Sequence, residues 1–496
     1  MKLDDVQILD LRATLWAVPA GRKADGARTC VKFRRLLEGP RMTADAGRMH
    51  QFNPEMTDLI LEFVRDRLSL EETPVDGLGV RSELHAALDG LMTDRGRPPA
   101  EVLGLYVNHI ADTILSADSP RFWAFIPAAP TKAALLFDMV VSAASLQGCS
   151  WLEAAGAVAA ENQALRVMMD AAGLPQTAGG VFVSGGSAGN LSALVVARDT
   201  ARRARAAAGI PEGRLRVLVS DQAHSSIKNA LNIVAMDAVV ISTSTGRLDA
   251  DALATVTDEQ LDGVVAIVAT AGTTNAGIVD DLTAVSAFAR DRGIWMHVDA
   301  AYGGAGLLAS SVRHLYAGIE NADSIVMDPH KWWFAPFDCA ALIYREPRLA
   351  RAVHTQDASY LDVIHESDDD FNPSDLAYHL TRRARGLALW FSLAVNGLDA
   401  YREAVESSIE MANCAAEIIA ASDHLELVRE PGLSIVLFRR HGWGVAEYNA
   451  WAQRLLADQI AFVAHSSWRG EPVGRLVFLH PNTTEQMVRE VLETLR

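Results

Sequence analysis

Cysteine is scarce in this chain. Cys30, Cys149, Cys339 and Cys414 are the four in 496 residues, scattered and with no CxxC pair. That argues against a disulfide framework and a thiolate zinc site, so no metal is expected and the chain reads as reduced and cytoplasmic. Positive charge is also short: 45 Lys and Arg stand against 62 Asp and Glu, a formal net charge of -17. Nucleic acid and anionic membrane would both repel such a chain, and neither is expected as a partner. No uninterrupted apolar run reaches the ~18 residues that a membrane-spanning helix needs. The start, Met1-Lys-Leu-Asp-Asp-Val6, puts two acids where a secretory signal would be basic and then apolar. Internal repeats and low-complexity linkers are missing as well.

What is present is apolar bulk, 50% hydrophobic against 22% charged, ample for a large core and more than one domain. The stretch that organises the rest is Asp328-Pro-His-Lys331-Trp-Trp333. It follows Ser324-Ile-Val-Met327, which reads as the end of a buried strand. A second such run, Ile294-Trp-Met-His-Val298, ends in Asp299-Ala-Ala301-Tyr302. An aspartate and a lysine at the ends of neighbouring parallel strands would face one crevice. Pyridoxal phosphate (PLP) chemistry asks for that pair: an amine to hold the aldehyde and a carboxylate for the pyridinium nitrogen.

Taken in order, residues 1–115 read as a helical segment without a catalytic cluster. Ser119 to Pro127 is dense in aromatics and proline, and either lines a pocket for an apolar substrate part or simply packs as core. Gly179 to Asn190 reads as a short strand, a Gly/Ser turn and a helix beginning near Ala188. The free N–H groups of such a helix start suit an anion, although the spacing is neither a P-loop nor GxGxxG. From there strands and helices alternate, at 216–220, 239–241, 264–269, 294–298 and 324–327. This implies an α/β fold with a largely parallel sheet and functional loops at the strand C-termini. His224 lies in one such loop, Ser220 to Ser226, where it could lie flat on a cofactor ring or be merely structural. Thr274 lies in another, with hydroxyls that orient a ligand or cap a turn. Residues 356–373 are polar, acidic and aperiodic, a surface loop or a mobile lid. Arg382 to Trp390 begins a long helix leading to a small C-terminal α/β domain. The expected division is 1–115, 116–390 and 391–496.

Together these stretches resemble the group II PLP-dependent decarboxylases, the aromatic-L-amino-acid and glutamate decarboxylase family. Ser220-Asp-Gln-Ala-His-Ser-Ser226, Gly272-Thr-Thr274, His297-Val-Asp-Ala-Ala-Tyr302 and Pro329-His-Lys331 occur in that family's order. The resemblance implies a PLP-dependent transferase fold of the aspartate aminotransferase type (fold type I). It implies a homodimer with active sites at the interface, and N-terminal helices that wrap the partner. It makes Lys331 the Schiff-base lysine, pairs Asp299 with the ring nitrogen, packs Ala301 on one ring face and stacks His224 on the other. Ser187 and Ala188 would bind the phosphate, and Thr274 and His330 would line the cofactor. Phe125, Pro127 and Cys149 would line the substrate pocket.

Three positions depart from the family pattern. Asp328 stands where asparagine is frequent, and Cys149 where the animal aromatic enzymes commonly carry phenylalanine. The lid tyrosine that protonates Cα falls near Pro373, with Tyr360 and Tyr378 the nearest tyrosines. The expected activity is decarboxylation of an aromatic or bulky apolar L-amino acid to the amine. The alternatives are decarboxylation with oxidative deamination to an aldehyde, an aminotransferase or carbon–carbon lyase on the same fold, and a non-catalytic regulator.

Overall fold

The computed structural model describes residues 49–126, 129–211, 213–365 and 371–496. Their contacts divide into two compact units, residues up to 116 with 444–460, and residues 117–443 with 461–496. The first contains the helices Pro54–Leu68, Arg81–Leu88, Pro99–Leu105 and Val445–Ala457. The earliest begins as local rules require: Asn53 caps it by accepting from the Met56 N–H, Pro54 opens it, and Arg65 and Arg67 close it.

The second unit is built on seven strands. They are β1 (Gly179–Val183), β2 (Arg216–Ser220), β3 (Asp237–Ile241), β4 (Val264–Thr270), β5 (Trp295–Asp299), β6 (Ser324–Met327) and β7 (Ala340–Tyr344). They lie in the order β1-β7-β6-β5-β4-β2-β3. β7 runs antiparallel to both its neighbours, and the other pairs are parallel. Both faces of the sheet are covered. Val217, Val219, Ala266, Val268 and Val326 face one core with Ala193, Leu194 and Ala197 of helix Gly186–Ala207. Leu218, Ile267, Met296, Val298, Ile325 and Met327 face the other. Alternate residues therefore enter opposite cores, and each strand reads as an unbroken apolar run.

That parallel arrangement carries Ser220, Thr270, Asp299 and Met327 to one edge of the sheet. Thr270 pairs in register with Asp299. A smaller antiparallel sheet follows, with β8 (Leu425–Leu427), β9 (Ile435–Arg440), β10 (Ser466–Trp468) and β11 (Glu471–Val477) in the order β10-β11-β9-β8.

Three readings need adjustment. The helix expected near Ala188 begins at Gly186, so Ser187 and Ala188 sit in its first turn. The helix expected from Arg382 begins at Gly386 and is broken at Gly397, where φ is 76°. Arg382 itself is spent on a buried pair with Glu161. Of the aperiodic segment before it, residues 366–370 lie outside the described residues, while Ser359–His365 forms 3-10 helix. Among the described residues no helix is long and apolar enough to cross a membrane.

Candidate active site

Asp299 closes β5 with both oxygens engaged. Its Oδ1 accepts from the Ala301 N–H at 3.1 Å and its Oδ2 from the Asn190 amide at 2.9 Å. Asn190 comes from the first turns of helix Gly186–Ala207 and also donates to Ser226 Oγ at 3.0 Å. Its own oxygen lies 2.8 Å from His297 Nε2. The other nitrogen of that ring meets Ser324 Oγ at 2.8 Å, which in turn takes the Trp295 indole N–H at 2.8 Å. Burial pushes the His297 ring down to about 4, against the opposing pull of Asp299, so it is neutral near neutrality.

Lys331 follows β6 after a turn. Its Nζ lies 2.8 Å from Asp328 Oδ2. Burial penalises the ammonium, but the charge and hydrogen bond of Asp328, with Asp299 farther off, outweigh it and hold the amine above the ordinary lysine value. The same Asp328 oxygen accepts from the Gly186 N–H at 3.2 Å, at the helix start. Its other oxygen, Oδ1, is buried without a partner. A Cβ at Gly186 would lie 2.9 Å from Asp328 and 3.1 Å from the Ala301 Cβ, so only glycine lets the helix start come this close. His330 Nδ1 accepts from the Cys339 N–H at 2.9 Å, and its Nε2 lies 3.5 Å from Asp328 Oδ2. Burial lowers its pKa below the usual histidine value.

The remaining candidates spread along this edge. His224 caps helix Ser225–Ile233, its Nδ1 accepting from the Ser226 N–H at 3.2 Å and lying 2.8 Å from Ser226 Oγ. Its ring is exposed, as are Ser187 and Thr274. Thr274 is fixed through its carbonyl, which accepts from Arg475 at 2.6 Å; the same guanidinium reaches the Phe125 carbonyl at 2.9 Å. Phe125 is exposed, its ring 6.0 Å from that of Phe462. Pro127 lies outside the described residues. Cys149 is buried and holds the Ser374 N–H through its carbonyl. Asn372 accepts from the Trp151 N–H and donates to the Ile364 carbonyl, which pins buried Pro373 beside that strip. Tyr360 and Tyr378 are both exposed, at 70% and 52%.

Four residues without an assigned role in the sequence reading hold this edge together. Asn190 stands one turn before Ala193, Leu194 and Ala197 on the stripe that enters the core, and a polar residue in an apolar stripe was its legible signal. His297 sits mid-strand, where every neighbour is apolar or buried. Asp280, also buried, accepts from the Thr270 and Leu248 N–H groups, each at 2.7 Å. Arg475 carries no local signal, since its acceptors lie some two hundred residues away or more.

The pyridoxal-dependent decarboxylase conserved domain matches residues 83–441. An aromatic-L-amino-acid decarboxylase of Bacillus atrophaeus is 27% identical over 466 residues, covering 91% of this chain and 95% of that one. An L-2,4-diaminobutyrate decarboxylase of Rhizobium meliloti (strain 1021) is 31% identical over 437 residues, covering 85% and 84%. Among solved structures, that of Oryza sativa TDC with PLP and tryptamine superposes with a TM-score of 0.82 at 28% identity, over 90% of this chain and 98% of that one.

Proposed function

The chain belongs to the pyridoxal-dependent decarboxylase family and is a PLP-dependent amino-acid decarboxylase, and from that premise we propose that it takes an aromatic or bulky apolar L-amino acid to its amine and carbon dioxide. The observation that carries the site assignment is the Lys331 amine at 2.8 Å from Asp328, one strand from Asp299. The residues fit the cofactor. A partly buried primary amine, a carboxylate at the adjacent strand end, a glycine helix start too tight for a Cβ and an unpartnered Asp328 oxygen all converge there. PLP, when bound, supplies the aldehyde that takes the substrate amine and the ring that accepts the electrons of the broken Cα–carboxylate bond.

The chain's own groups do the rest. Lys331 holds the cofactor between turnovers. Asp299, carrying two donors already, keeps its aim at the ring nitrogen and favours a proton there. Ala301 would pack on one face of the bound ring and His224 on the other. The first-turn residues Ser187 and Ala188 would hold the phosphate, with Thr274 and His330 beside the cofactor. Such fixed positioning decides which bond at Cα breaks. Of the residues expected at the side-chain pocket, Phe125 and Cys149 are themselves uncharged, which supports an aromatic over a cationic substrate. The assembly is a homodimer with sites at its interface, to be sized by light scattering.

A second reading keeps the decarboxylation and changes the product. Pro373, at the place of the family's lid tyrosine, has no proton to give, and an unprotonated Cα that meets oxygen yields an aldehyde. His224, Tyr360 and Tyr378 are the donors available for the amine outcome. The test is to supply aromatic amino acids and L-2,4-diaminobutyrate singly and follow carbon dioxide, ammonia, peroxide and oxygen. Carbon dioxide without oxygen uptake supports the amine. Oxygen uptake matching carbon dioxide release overturns it. Turnover of diaminobutyrate alone overturns the aromatic assignment.

A further inference from the structure

Asp299 fixes the direction of the hydrogen bonds behind it. A carboxylate accepts only, so the Asn190 group at 2.9 Å from Oδ2 is the amide N–H. The second amide hydrogen then points to Ser226 Oγ, 3.0 Å away. The Asn190 oxygen is left facing His297 Nε2, which must carry a proton to donate across 2.8 Å. The other ring nitrogen, Nδ1, is then free to accept from the Ser324 hydroxyl, whose oxygen is already taking the Trp295 N–H. On the far side, the Ser226 N–H donates to His224 Nδ1, which makes that nitrogen an acceptor, so the Ser226 hydroxyl, accepting from Asn190, donates to it as well. This leaves the His224 proton on Nε2. Each donor meets an acceptor in a compatible sense, with His224 Nδ1 shared between the Ser226 N–H and hydroxyl. Reversing the Asn190 amide would set its oxygen against both the Asp299 and Ser226 oxygens. Asn190 is 1% exposed and His297 0%, so water cannot repair such a clash.

We propose that Asn190 is a positioning residue that aims Asp299 and His224 together, its amide locked in one orientation by His297. One amide, anchored in the core, thus serves both groups that handle the cofactor ring, a statement that rests on the roles proposed above for them. Removing it would free Asp299 Oδ2 and the Ser226 hydroxyl at once, whereas removing the Ser226 hydroxyl would leave the Asn190–Asp299 hydrogen bond in place.

The first test needs no catalysis. The full chain is labelled with 15N-histidine, and the His297 ring is identified by the signal that H297Q removes or, should that variant not accumulate, by the one that S324A shifts. Two-bond 1H–15N correlations should show a neutral ring protonated on Nε2, unchanged from pH 6 to 8. A proton on Nδ1 alone would make Nε2 an acceptor, require the opposite amide orientation and overturn the proposal. The second test uses the PLP-loaded enzyme. N190A should lower kcat about ten- to a hundred-fold, the scale of a lost hydrogen bond to a charged group, and should release cofactor faster with substrate KM little changed. S226A, which keeps the Asn190–Asp299 hydrogen bond, should release cofactor more slowly than N190A, and equal rates would overturn the proposal. N190D keeps the side chain's shape and fills the space that N190A leaves. It should share the faster release, and wild-type behaviour in N190D would show that Asn190 only fills space. If the wild type releases no carbon dioxide from any amino acid, the decarboxylase reading falls, while the tautomer and cofactor-release results still decide this one.

Discussion

Replacing Asp328 by Asn keeps the side chain's shape and removes the charge nearest Lys331. The two groups are 2.8 Å apart. Unit charges at that distance attract by about 6 kcal/mol at an effective dielectric of about 20. The amine keeps some solvent contact and would retain a hydrogen bond to the new side chain, so a net loss of about 2–4 kcal/mol is the expected scale. Even the lower figure raises the neutral fraction of the amine about thirty-fold at a given pH. Only the neutral amine attacks an aldehyde, so D328N should capture PLP faster, most visibly near pH 7, with the two proteins converging at high pH. Cofactor-free protein mixed with PLP in a stopped-flow absorbance cell from pH 6.5 to 9.5 measures this directly. Superimposable profiles would refute the reasoning, because they would mean that Asp328 does not set the charge on Lys331.

Asp299→Asn should leave the fold intact and cut turnover about a thousand-fold or more, since each ~1.4 kcal/mol of barrier is tenfold in rate; near-normal turnover would show that the carboxylate is not the ring's electronic partner. Buried His297 should produce an acid limb in stability. Its pKa falls from 6.5 to about 4 on folding, so the unfolded chain binds the extra proton. The contribution is fully present above pH 6.5 and is lost as pH falls towards 4, on the order of 3 kcal/mol. Urea unfolding at stepped pH reads this, and an identical limb in H297Q would assign it to other groups. Glu161→Gln breaks a buried pair in which Arg382 Nη1 and Nη2 meet Glu161 at 2.7 and 2.8 Å. The expected loss is about 3–5 kcal/mol, seen as a lower Tm, and E161Q with R382M together should recover part of it. Equal Tm values for wild type and E161Q would mean the charge on Glu161 carries none of that stability.

The strand-end motifs were legible because the physics that writes them is local. A strand covered on both faces needs an unbroken Val/Ile/Ala run, and the residue where the run stops is the one that meets the crevice. Asp299 and the turn before Lys331 follow from that alone. The direction of β7 was not read, although the means were there: the link from Met327 to Ala340 contains no helix, and a parallel return needs a crossover of a dozen or more residues that is usually helical. The β10–β11 hairpin was missed too. Its turn, Arg469-Gly470, has φ of 52° and 83°, the paired positive angles that glycine at the second position announces. Arg382 to Arg385 looked like the opening of a helix because propensity is all a local reading has. Glu161, far back in the chain, draws Arg382 out of it. Asn190 marks the boundary between the two kinds of information. Its place in an apolar stripe was visible, but its partners Asp299 and His297 are 109 and 107 residues away.

The two carboxylates of the site are held in different ways, and the difference follows their proposed roles. Asp299 is satisfied by neutral donors from the backbone and from Asn190, neither of which titrates near neutrality. Its hydrogen bonds therefore do not depend on the charge of Lys331. Asp328 depends on Lys331 for its one charged contact and leaves an oxygen unpartnered. Once that amine is covalently engaged, Asp328 keeps the Gly186 N–H but loses its charged partner, and a buried carboxylate without one is costly. His330 Nε2, 3.5 Å from the same oxygen, is the nearest replacement. The chain thus places a fixed carboxylate where a constant field is needed, and an adjustable one beside the group whose charge changes during the cycle.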